Sequence, residues 1–235
     1  MTAESSVTPR AKVSKTDGRK RRWREHKVAR REELVDGTLD AIRVHGSNVG
    51  MDQIAAEIGV SKTVLYRYFT DKNDLTNAAM ERFVQTILAP RIYEAIGREL
   101  DEYGLARAAI SAYVETIASD TAIYLYVMSN GAGTDRDAVA DSEKMIAELV
   151  HVVITQRLAA RGHDTEGASP WSYGIVGAIQ LAVHSWISNP VMPSEQLIDY
   201  LTMMIWSAIE GIARSGGSRE VFNAQDHPLP PPPSA

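Results

Sequence analysis

The chain has 235 residues, 44% of them hydrophobic, and a formal net charge of −5, so it can bury a core in one or two domains. The absence of cysteine excludes a disulfide framework, a thiolate metal site and a cysteine nucleophile, and is consistent with a reducing cytoplasm. No apolar run approaches the roughly 18 residues of a membrane-spanning helix, and the basic N-terminus lacks the apolar segment of a secretory signal, so we expect a cytoplasmic protein without membrane contact.

The N-terminal end differs from the rest of the chain in charge. Residues 1–31 carry 11 Lys and Arg against 3 Asp and Glu, whereas the remaining residues carry 14 against 27. Residues 1–22 also lack apolar periodicity, and we expect a disordered basic arm that meets a polyanion. A solvated tail without fixed contacts is the alternative. Basic arms can enter a minor groove beside a DNA-binding domain, and the arginines that we assign to such contact are Arg19, Arg21 and Arg22.

The apolar pattern becomes helical from Trp23. It predicts one helix to about His45, a second over residues 51–58, and a third that begins after Ser61. Ser61 can cap the third helix, because its hydroxyl can accept from a free N–H of the first turn. We therefore assign residues 23–70 to one small helical domain.

The second and third predicted helices share an apolar seam. Ile54 and Ile58 lie one turn apart on the second helix, and Leu65 and Phe69 lie one turn apart on the third. Gly59 stands between the helices and tolerates the positive φ of a tight turn. Two short helices, a turn with glycine and a shared seam have the spacing of a helix-turn-helix.

The residues outside the seam give the third helix a polar, cationic outer face. Such a face suits a major groove, because Lys and Arg reach phosphates or guanine edges and the methyl groups of Thr and Val meet thymine methyls. Tyr hydroxyls reach phosphate oxygens from a rigid side chain. The residues that we assign to DNA contact on this helix are Lys62, Thr63, Val64, Tyr66, Arg67 and Tyr68.

The segment MDQIAAEIGVSKTVLYRYFTDKNDL, residues 51–75, resembles the DNA-binding end of the tetracycline-repressor (TetR) family, and the likeness covers about residues 30–83. The resemblance implies an all-α homodimer of about nine helices, with a fourth helix that leads into a divergent ligand domain and a four-helix dimer interface built from the last two helices. It also implies that Lys72, at the start of the fourth helix, holds a phosphate. Gly50 replaces the Ser or Thr that often precedes the second helix, so no side-chain cap is expected there.

Residues 71–217 are the predicted effector-binding and dimerisation domain. Their apolar pattern is helical throughout and no strand signal stands out, so the fold class is all-α. Asp71 is expected to cap the fourth helix, and Pro90 to kink or divide it. Residues 218–235 end in HPLPPPPSA and are predicted to be an extended proline-rich tail, with a ligand for a proline-reading module as the alternative.

Aromatic, methionine and leucine side chains of this domain are candidates for a ligand pocket, since such pockets are mostly apolar with a few polar groups. Each of them singly can equally be ordinary core. The residues that we assign to the pocket are Tyr113, Tyr124, Met128, Met145, Leu149, Trp171 and Tyr173.

The few basic residues of the same domain bear on the ligand class. Between positions 108 and 213 these are Arg136, Lys144, Arg157 and Arg161, which disfavours a strongly anionic ligand deep inside and favours a small lipophilic effector. The run LAVHSWISNP loosely resembles the penultimate helix of actinobacterial regulators of lipid metabolism, which implies a fatty-acyl or sterol-type effector.

The last two predicted helices carry apolar stripes wide enough to pack both on the chain's own core and on a second copy. A C2 homodimer pairs identical patches, and a palindromic double-stranded operator follows from it. The residues that we assign to the dimer interface are Trp186, Leu201, Met204 and Ile205.

The sequence offers no constellation for catalysis or metal binding. The histidines of the body, at positions 151, 163 and 184, lack metal-binding spacing, and no G-x-S-x-G elbow is present. We therefore expect no cofactor, no metal and no enzymatic activity. The leading hypothesis is a ligand-responsive transcriptional regulator, in such families usually a repressor. The alternative is a helical protein-interaction module that keeps the fold without DNA binding, against which the cationic face and the basic arm argue.

Overall fold

The computed structural model describes residues 15–130 and 136–228, and the side chains of residues 21–129 and 144–228. These residues form an all-helical protein, as predicted. The helices are α1 (Lys15–His45), α2 (Met51–Ile58), α3 (Lys62–Tyr68), α4 (Lys72–Phe83), a π-helical segment (Val84–Leu88), α5 (Ala89–Ile96), α6 (Glu102–Ser119), α7 (Thr121–Asn130), α8 (Arg136–Ala160), α9 (Ala168–Ser188), α10 (Ser194–Arg214) and α11 (Arg219–Asn223).

Helix α1 begins at Lys15, well before the start predicted at Trp23. The prediction of a disordered arm is therefore wrong from Lys15 onward, while residues 1–14 lie outside the described part of the chain. The physical reason is that Lys, Arg and Glu are good helix formers, so the helix extends into solvent without an apolar face. Its side chains from residue 21 to residue 29 are all exposed.

The turn between α2 and α3 has the predicted geometry. Gly59 has φ 74°, and the N–H groups of Gly59 and Val60 bond to carbonyl oxygens of the last turn of α2. Ile54, Leu65 and Phe69 are buried in one cluster.

The capping of α2 and α3 differs in part from expectation. The hydroxyl of Ser61 makes no cap bond, because Ser61 is exposed and turns its side chain to solvent, so that part of the prediction is wrong. At α2 the backbone N–H of Gly50 donates to Oε1 of Gln53 over 3.1 Å. The side chain of the third helical residue thus satisfies a donor at a cap that has no side chain of its own.

Helices α4 and α5 form one continuous helical run with the π-helical segment between them. Asp71 caps α4 as predicted, since its Oδ1 accepts from the N–H of Asp74 over 2.9 Å. Pro90 lies in the first turn of α5, directly after the π-helical turn. A π-bulge absorbs the local mismatch that a proline introduces, so the run is divided but not ended.

Two ion pairs fasten α4 to α1. A guanidinium nitrogen of Arg31 lies 2.7 Å from Oδ1 of Asp74, whose other oxygen accepts from the N–H and the hydroxyl of Thr70 at 2.8 and 2.9 Å. Arg82 donates to both carboxylate oxygens of Asp36 at 2.7 Å. Bidentate pairs of this kind fix orientation as well as distance. The helix-turn-helix therefore has a defined position on α4.

The remaining helices build the body. Helix α6 packs against α5 and α10, and α8 packs along α9. The indole N–H of Trp186 donates to the carbonyl oxygen of Met192 over 2.7 Å and closes the turn between α9 and α10. Within the described residues, no helix is both long and apolar enough to cross a membrane.

The C-terminal end differs from the predicted proline-rich tail in one respect. Residues 219–223 form α11, and Ser218 caps this helix by accepting from the N–H of Val221. The prolines at the end of HPLPPPPSA lie outside the described residues.

We predict that Asp74→Asn makes the free energy of unfolding less dependent on acidic pH. Burial alone would raise the pKa of Asp74, but the N–H and hydroxyl of Thr70 and the guanidinium of Arg31 outweigh it and hold that pKa below its ordinary value. A carboxyl whose pKa is lowered on folding stabilises the protein above about pH 4, and that contribution is lost as the pH falls through the lowered pKa.

Urea unfolding of both proteins from pH 7 to pH 3 tests this. Asp74→Asn should cost about 1 kcal/mol at pH 7, after allowance for partial exposure, and the difference from the unaltered protein should narrow below about pH 4. Asp226→Asn, at an exposed carboxylate near the C-terminus, is the control. A difference in the free energy of unfolding that stays constant from pH 7 to pH 3 would show that the charge of Asp74 is not what stabilises the contact between α4 and α1.

Candidate DNA-binding face and effector cavity

The outer face of α3 presents most of the side chains predicted to meet DNA. Lys62, Thr63, Tyr66 and Arg67 are exposed, and Val64 is half-buried. They stand opposite the fully buried Leu65, which anchors α3 to the core. A short helix held by one apolar side and carrying cations on the other can lie in a major groove.

Tyr68 does not share this outward orientation. It is half-buried and packs against the core cluster. The physical reason is helical spacing, since Tyr68 lies three residues after the buried Leu65 and next to the buried Phe69. Only the exposed part of Tyr68 is available to DNA, and its assignment to DNA contact stays a prediction.

Lys62 is paired within the protein. Its Nζ lies 2.8 Å from Oδ2 of Asp52 on α2, and both side chains are well exposed. The hydrogen bond that the Lys62 ammonium donates to Asp52 is the main reason that the pKa of Lys62 is raised. The Lys62 ammonium is thus held at the N-terminus of α3. A DNA phosphate that bound there would compete with the carboxylate of Asp52.

Lys72 lies where the DNA-binding domain meets the body. Its Nζ is 5.5 Å from the ring centroid of Tyr126 on α7, a cation–π distance. Tyr126 is fully buried, and its hydroxyl oxygen is 3.4 Å from the hydroxyl oxygen of Thr76 on α4. Burial raises the pKa of the Tyr126 phenol. Lys72, which the resemblance assigns to phosphate binding, therefore also contacts α7.

The basic segment of α1 is exposed over its described side chains. Arg21 lies 3.4 Å from Glu25 of the next turn. Trp23 is exposed, with Nζ of Lys27 5.8 Å from its ring centroid. Arg22 is exposed as well, and the side chain of Arg19 lies outside the described set.

A cavity of about 250 Å³ lies inside the body, with a mostly apolar wall from every helix between α4 and α10. Tyr113, Tyr124, Met128 and Leu149, four of the predicted pocket residues, line it. The hydroxyl of Tyr124 is 3.2 Å from Nδ1 of His184. A mostly apolar space with a few polar groups is the usual form of a small-molecule site.

The other predicted pocket residues lie elsewhere. Met145 packs against the core away from the cavity wall, and Tyr173 is half-exposed on the outside of α9. Trp171 packs its ring against the backbone of Gly167, where a Cβ would approach the indole to 2.3 Å. These three residues are not among those that line the cavity, because residue type alone does not specify which side of a helix faces it.

One end of the cavity is charged, a feature that the sequence analysis missed. Glu102 of α6 and Arg157 of α8 line it there, together with Arg161 and His163 in the turn directly after α8. Arg157 and Arg161 are four residues apart, and both lie within 3.5 Å of Oε1 of Glu102. That spacing was a signal for a shared site, but the contribution of Glu102 depends on the tertiary fold.

The predicted dimer residues divide between inside and outside. Leu201 and Ile205 are buried in the chain's own core and so offer little surface to a second copy. Trp186 is half-buried with its indole bonded across the α9–α10 turn, and its assignment to the dimer interface stays a prediction. The apolar stripe on α10 is wide enough to pack both on the chain's own core and on a second copy, and Leu201 and Ile205 pack on the core. Met204 is 46% exposed. Other exposed apolar residues on the outer sides of α9 and α10 are Leu181, Tyr200 and Met203.

Comparison with known proteins adds four findings. The family model described as bacterial regulatory proteins of the tetR family matches residues 34–79. An uncharacterized HTH-type transcriptional regulator of Mycobacterium tuberculosis is 56% identical over 216 residues, 92% of each chain. The HTH-type transcriptional activator FasR of Mycolicibacterium smegmatis is 26% identical over 140 residues, 60% of this chain and 64% of that one. The solved structure of the fatty acid degradation regulator FadR from Bacillus halodurans shares the fold, with a TM-score of 0.61 at 15% identity over 74% of this chain and 93% of that one.

We predict that Asp52→Asn strengthens binding to DNA. The substitution removes a negative charge beside α3 and frees Lys62 for a phosphate, so affinity should rise about threefold to tenfold at low salt. Lys62→Gln should act in the opposite direction and reduce the slope of log affinity against log salt by about one.

Titration of a labelled fragment, recovered by selection from genomic DNA, at several salt concentrations measures both effects. Asp199→Asn is the matched control, since it also removes an exposed carboxylate from an ion pair, but on α10 and with Arg107. Unchanged or weaker binding by Asp52→Asn would mean that the pair with Lys62 does not compete with DNA.

Proposed function

The chain belongs to the TetR family of DNA-binding transcriptional regulators, and from that premise we propose that it is a repressor that a small lipophilic ligand releases from its operator. Regulators of this family bind operator DNA and form dimers, and they are not enzymes. One observation carries the proposal: the helical run from α4 to α5 has Lys72 at its DNA-facing end and forms a wall of the cavity with Phe83, Leu88 and Ile92.

The cavity wall supports a lipophilic ligand of fatty-acyl or sterol type. It is built mainly from Ile, Leu, Val and Met side chains. The transfer of a ligand's apolar surface from water to such a wall is favourable. Tyr113 and Tyr124 supply the polar atoms that can orient a bound molecule. One protein of the same fold is named a fatty acid degradation regulator.

Release follows if the ligand prefers one arrangement of the helices over another. A ligand shifts an equilibrium only by its differential affinity for the two states. A molecule in this cavity touches α4 and the π-helical segment on one side and α7 on another. Both elements reach the α3–α4 junction, so a change in their packing alters the position of α3 relative to its counterpart in the dimer.

The outer sides of α9 and α10 are the proposed dimer surface. Leu181 is 70% and Met203 is 62% exposed, and Tyr200 and Met204 add further apolar area. On α9, Gly174 and Gly177 have open space where a Cβ would stand, which allows a partner helix to approach closely. A large exposed apolar patch marks an interaction site, and a two-fold axis pairs it with itself. A palindromic operator follows from that symmetry.

Selection of bound fragments from genomic DNA, with and without a cellular lipid extract, tests the function. We expect a palindromic site whose occupancy the extract lowers. Ala109→Phe fills the cavity from α6, so it should keep DNA affinity within about twofold while the response to the extract is lost. Ala224→Phe, at an exposed position after α11, is the control.

The outcomes separate the parts of this proposal. Failure to bind any fragment at low salt would refute DNA binding and favour the interaction-module alternative. Binding that the extract strengthens would refute the repressor mechanism of release. Binding that never responds to the extract would refute a lipophilic effector.

Leu181→Glu is predicted to weaken the dimer. A buried, unpaired carboxylate at the centre of a two-fold interface is strongly unfavourable, and the two copies would also repel each other. Sedimentation should show monomers at micromolar concentration, and operator affinity should fall by at least about tenfold because both half-sites no longer bind together. Tyr93→Glu, at an exposed position on α5, is the control. An intact dimer in Leu181→Glu would place the interface elsewhere.

A further inference from the structure

The charged end of the cavity differs from the rest of its wall. Among the described residues that line the cavity, the charged ones are Glu102, Arg157 and Arg161, and all three meet at one place. The remaining lining is apolar apart from a few neutral polar groups. The cavity is therefore amphiphilic, with a long apolar part and one cationic end.

We propose that this cluster binds the anionic head of the effector, a carboxylate or a phosphate at the end of an apolar chain. The inference rests on the proposed control by a lipophilic ligand and specifies the chemistry of that ligand. In this inference Arg157 and Arg161 bind the head group of the ligand, and the apolar wall of the cavity contacts the ligand's apolar chain.

The geometry of the cluster leaves donors for a further anion. Guanidinium nitrogens of Arg161 and Arg157 lie 2.8 and 3.5 Å from the same oxygen, Oε1 of Glu102. Each guanidinium has five N–H donors, so one carboxylate cannot saturate two of them. The cluster carries one net positive charge. Planar guanidinium groups match carboxylate and phosphate oxygens in pairs.

His163 lies in the wall of the cavity beside this cluster in the sequence. Gly162, with φ 67°, turns the chain directly after α8 and leads into His163. Nδ1 of His163 is buried without a hydrogen-bond partner among the described residues. Because this atom has almost no accessible surface, the head-group assignment rests on the two arginines and on the apolar wall next to them.

The position of the cluster agrees with a head group that keeps contact with water. The side chains of Arg157 and Arg161 are 43% and 49% exposed, whereas that of Glu102 is 26% exposed. An anion at such a rim retains part of its hydration and avoids the large cost of full burial. The scarcity of basic residues in this domain disfavours an anionic group deep inside, and it is compatible with one at the rim.

Glu102 is the internal competitor for the same donors. Its own backbone N–H and the two arginines hold the pKa of Glu102 below the ordinary value, so it is ionised at neutral pH. A bound anion would therefore exchange with a charged carboxylate. Removing that charge should strengthen anion binding, while removing the arginines should weaken it.

The test compares three probes of one chain length, dodecanoate, dodecyl phosphate and dodecanol, by calorimetric titration of the full-length protein at pH 7.5. The unaltered protein should bind at least one of the anions about tenfold more tightly than dodecanol. In the double variant Arg157→Gln, Arg161→Gln this ratio should fall to near one, with dodecanol affinity retained. Glu102→Gln should raise the ratio by about threefold. Arg98→Gln, which breaks an exposed pair with Glu94, should leave the ratio unchanged.

The results distinguish this inference from the proposed function. The relative affinities of dodecanoate and dodecyl phosphate identify which anion the cluster prefers. Equal affinity for all three probes, or an unchanged ratio in the double variant, would overturn the head-group assignment while a lipophilic effector still stands. Absence of binding by all three probes would overturn both. Operator binding without probe serves as the folding control, and it should be the same in every variant.

Discussion

The helical run from α4 through the π-helical segment to α5 is the constraint on which the rest of the structure depends. Its first turn follows α3 directly, and its later turns form part of the cavity wall. Two ion pairs, Asp74 with Arg31 and Arg82 with Asp36, fix the run to α1 at the first and the last turn of α4. Because α1 packs on α2, the helix-turn-helix cannot change its orientation without moving this run, and a shift of the run carries α3 with it.

Helix α7 provides a second connection between cavity and DNA face. Tyr124 points to the cavity, and Tyr126, two residues on, lies beneath Lys72 on the opposite side of the helix. The turn before α7 is tied to the end of α1, since Arg43 donates to Asp120 over 2.8 Å. A rotation of α7 in response to a ligand therefore acts on both ends of the DNA-binding domain. Such contacts transmit an effect only where the ligand binds the two arrangements with different affinity.

The sequence predicts the features that depend on short-range periodicity. It does not predict those that depend on how distant helices pack against each other. The helix-turn-helix depends on residues at most fifteen or so positions apart, so Ile54, Gly59 and Leu65 were sufficient to predict its geometry. The cavity depends on which side of a distant helix faces inward, and for that reason residue type did not predict that Trp171 and Tyr173 lie outside its lining. The stripe on α10 is wide enough for two faces, and periodicity cannot tell that Leu201 lies inside.

Both candidate anion sites of the chain are held by an internal carboxylate. Asp52 pairs with Lys62 at the DNA face, and Glu102 pairs with Arg161 at the cavity rim. Exposed pairs of this kind contribute at most about 1 kcal/mol, so a ligand with several matched contacts displaces them readily. A ligand with a single weak contact does not, because it meets a neutralised site on an acidic body. The carboxylates thus orient the cations and raise the number of contacts that binding requires, which favours specific partners over other polyanions and lipids.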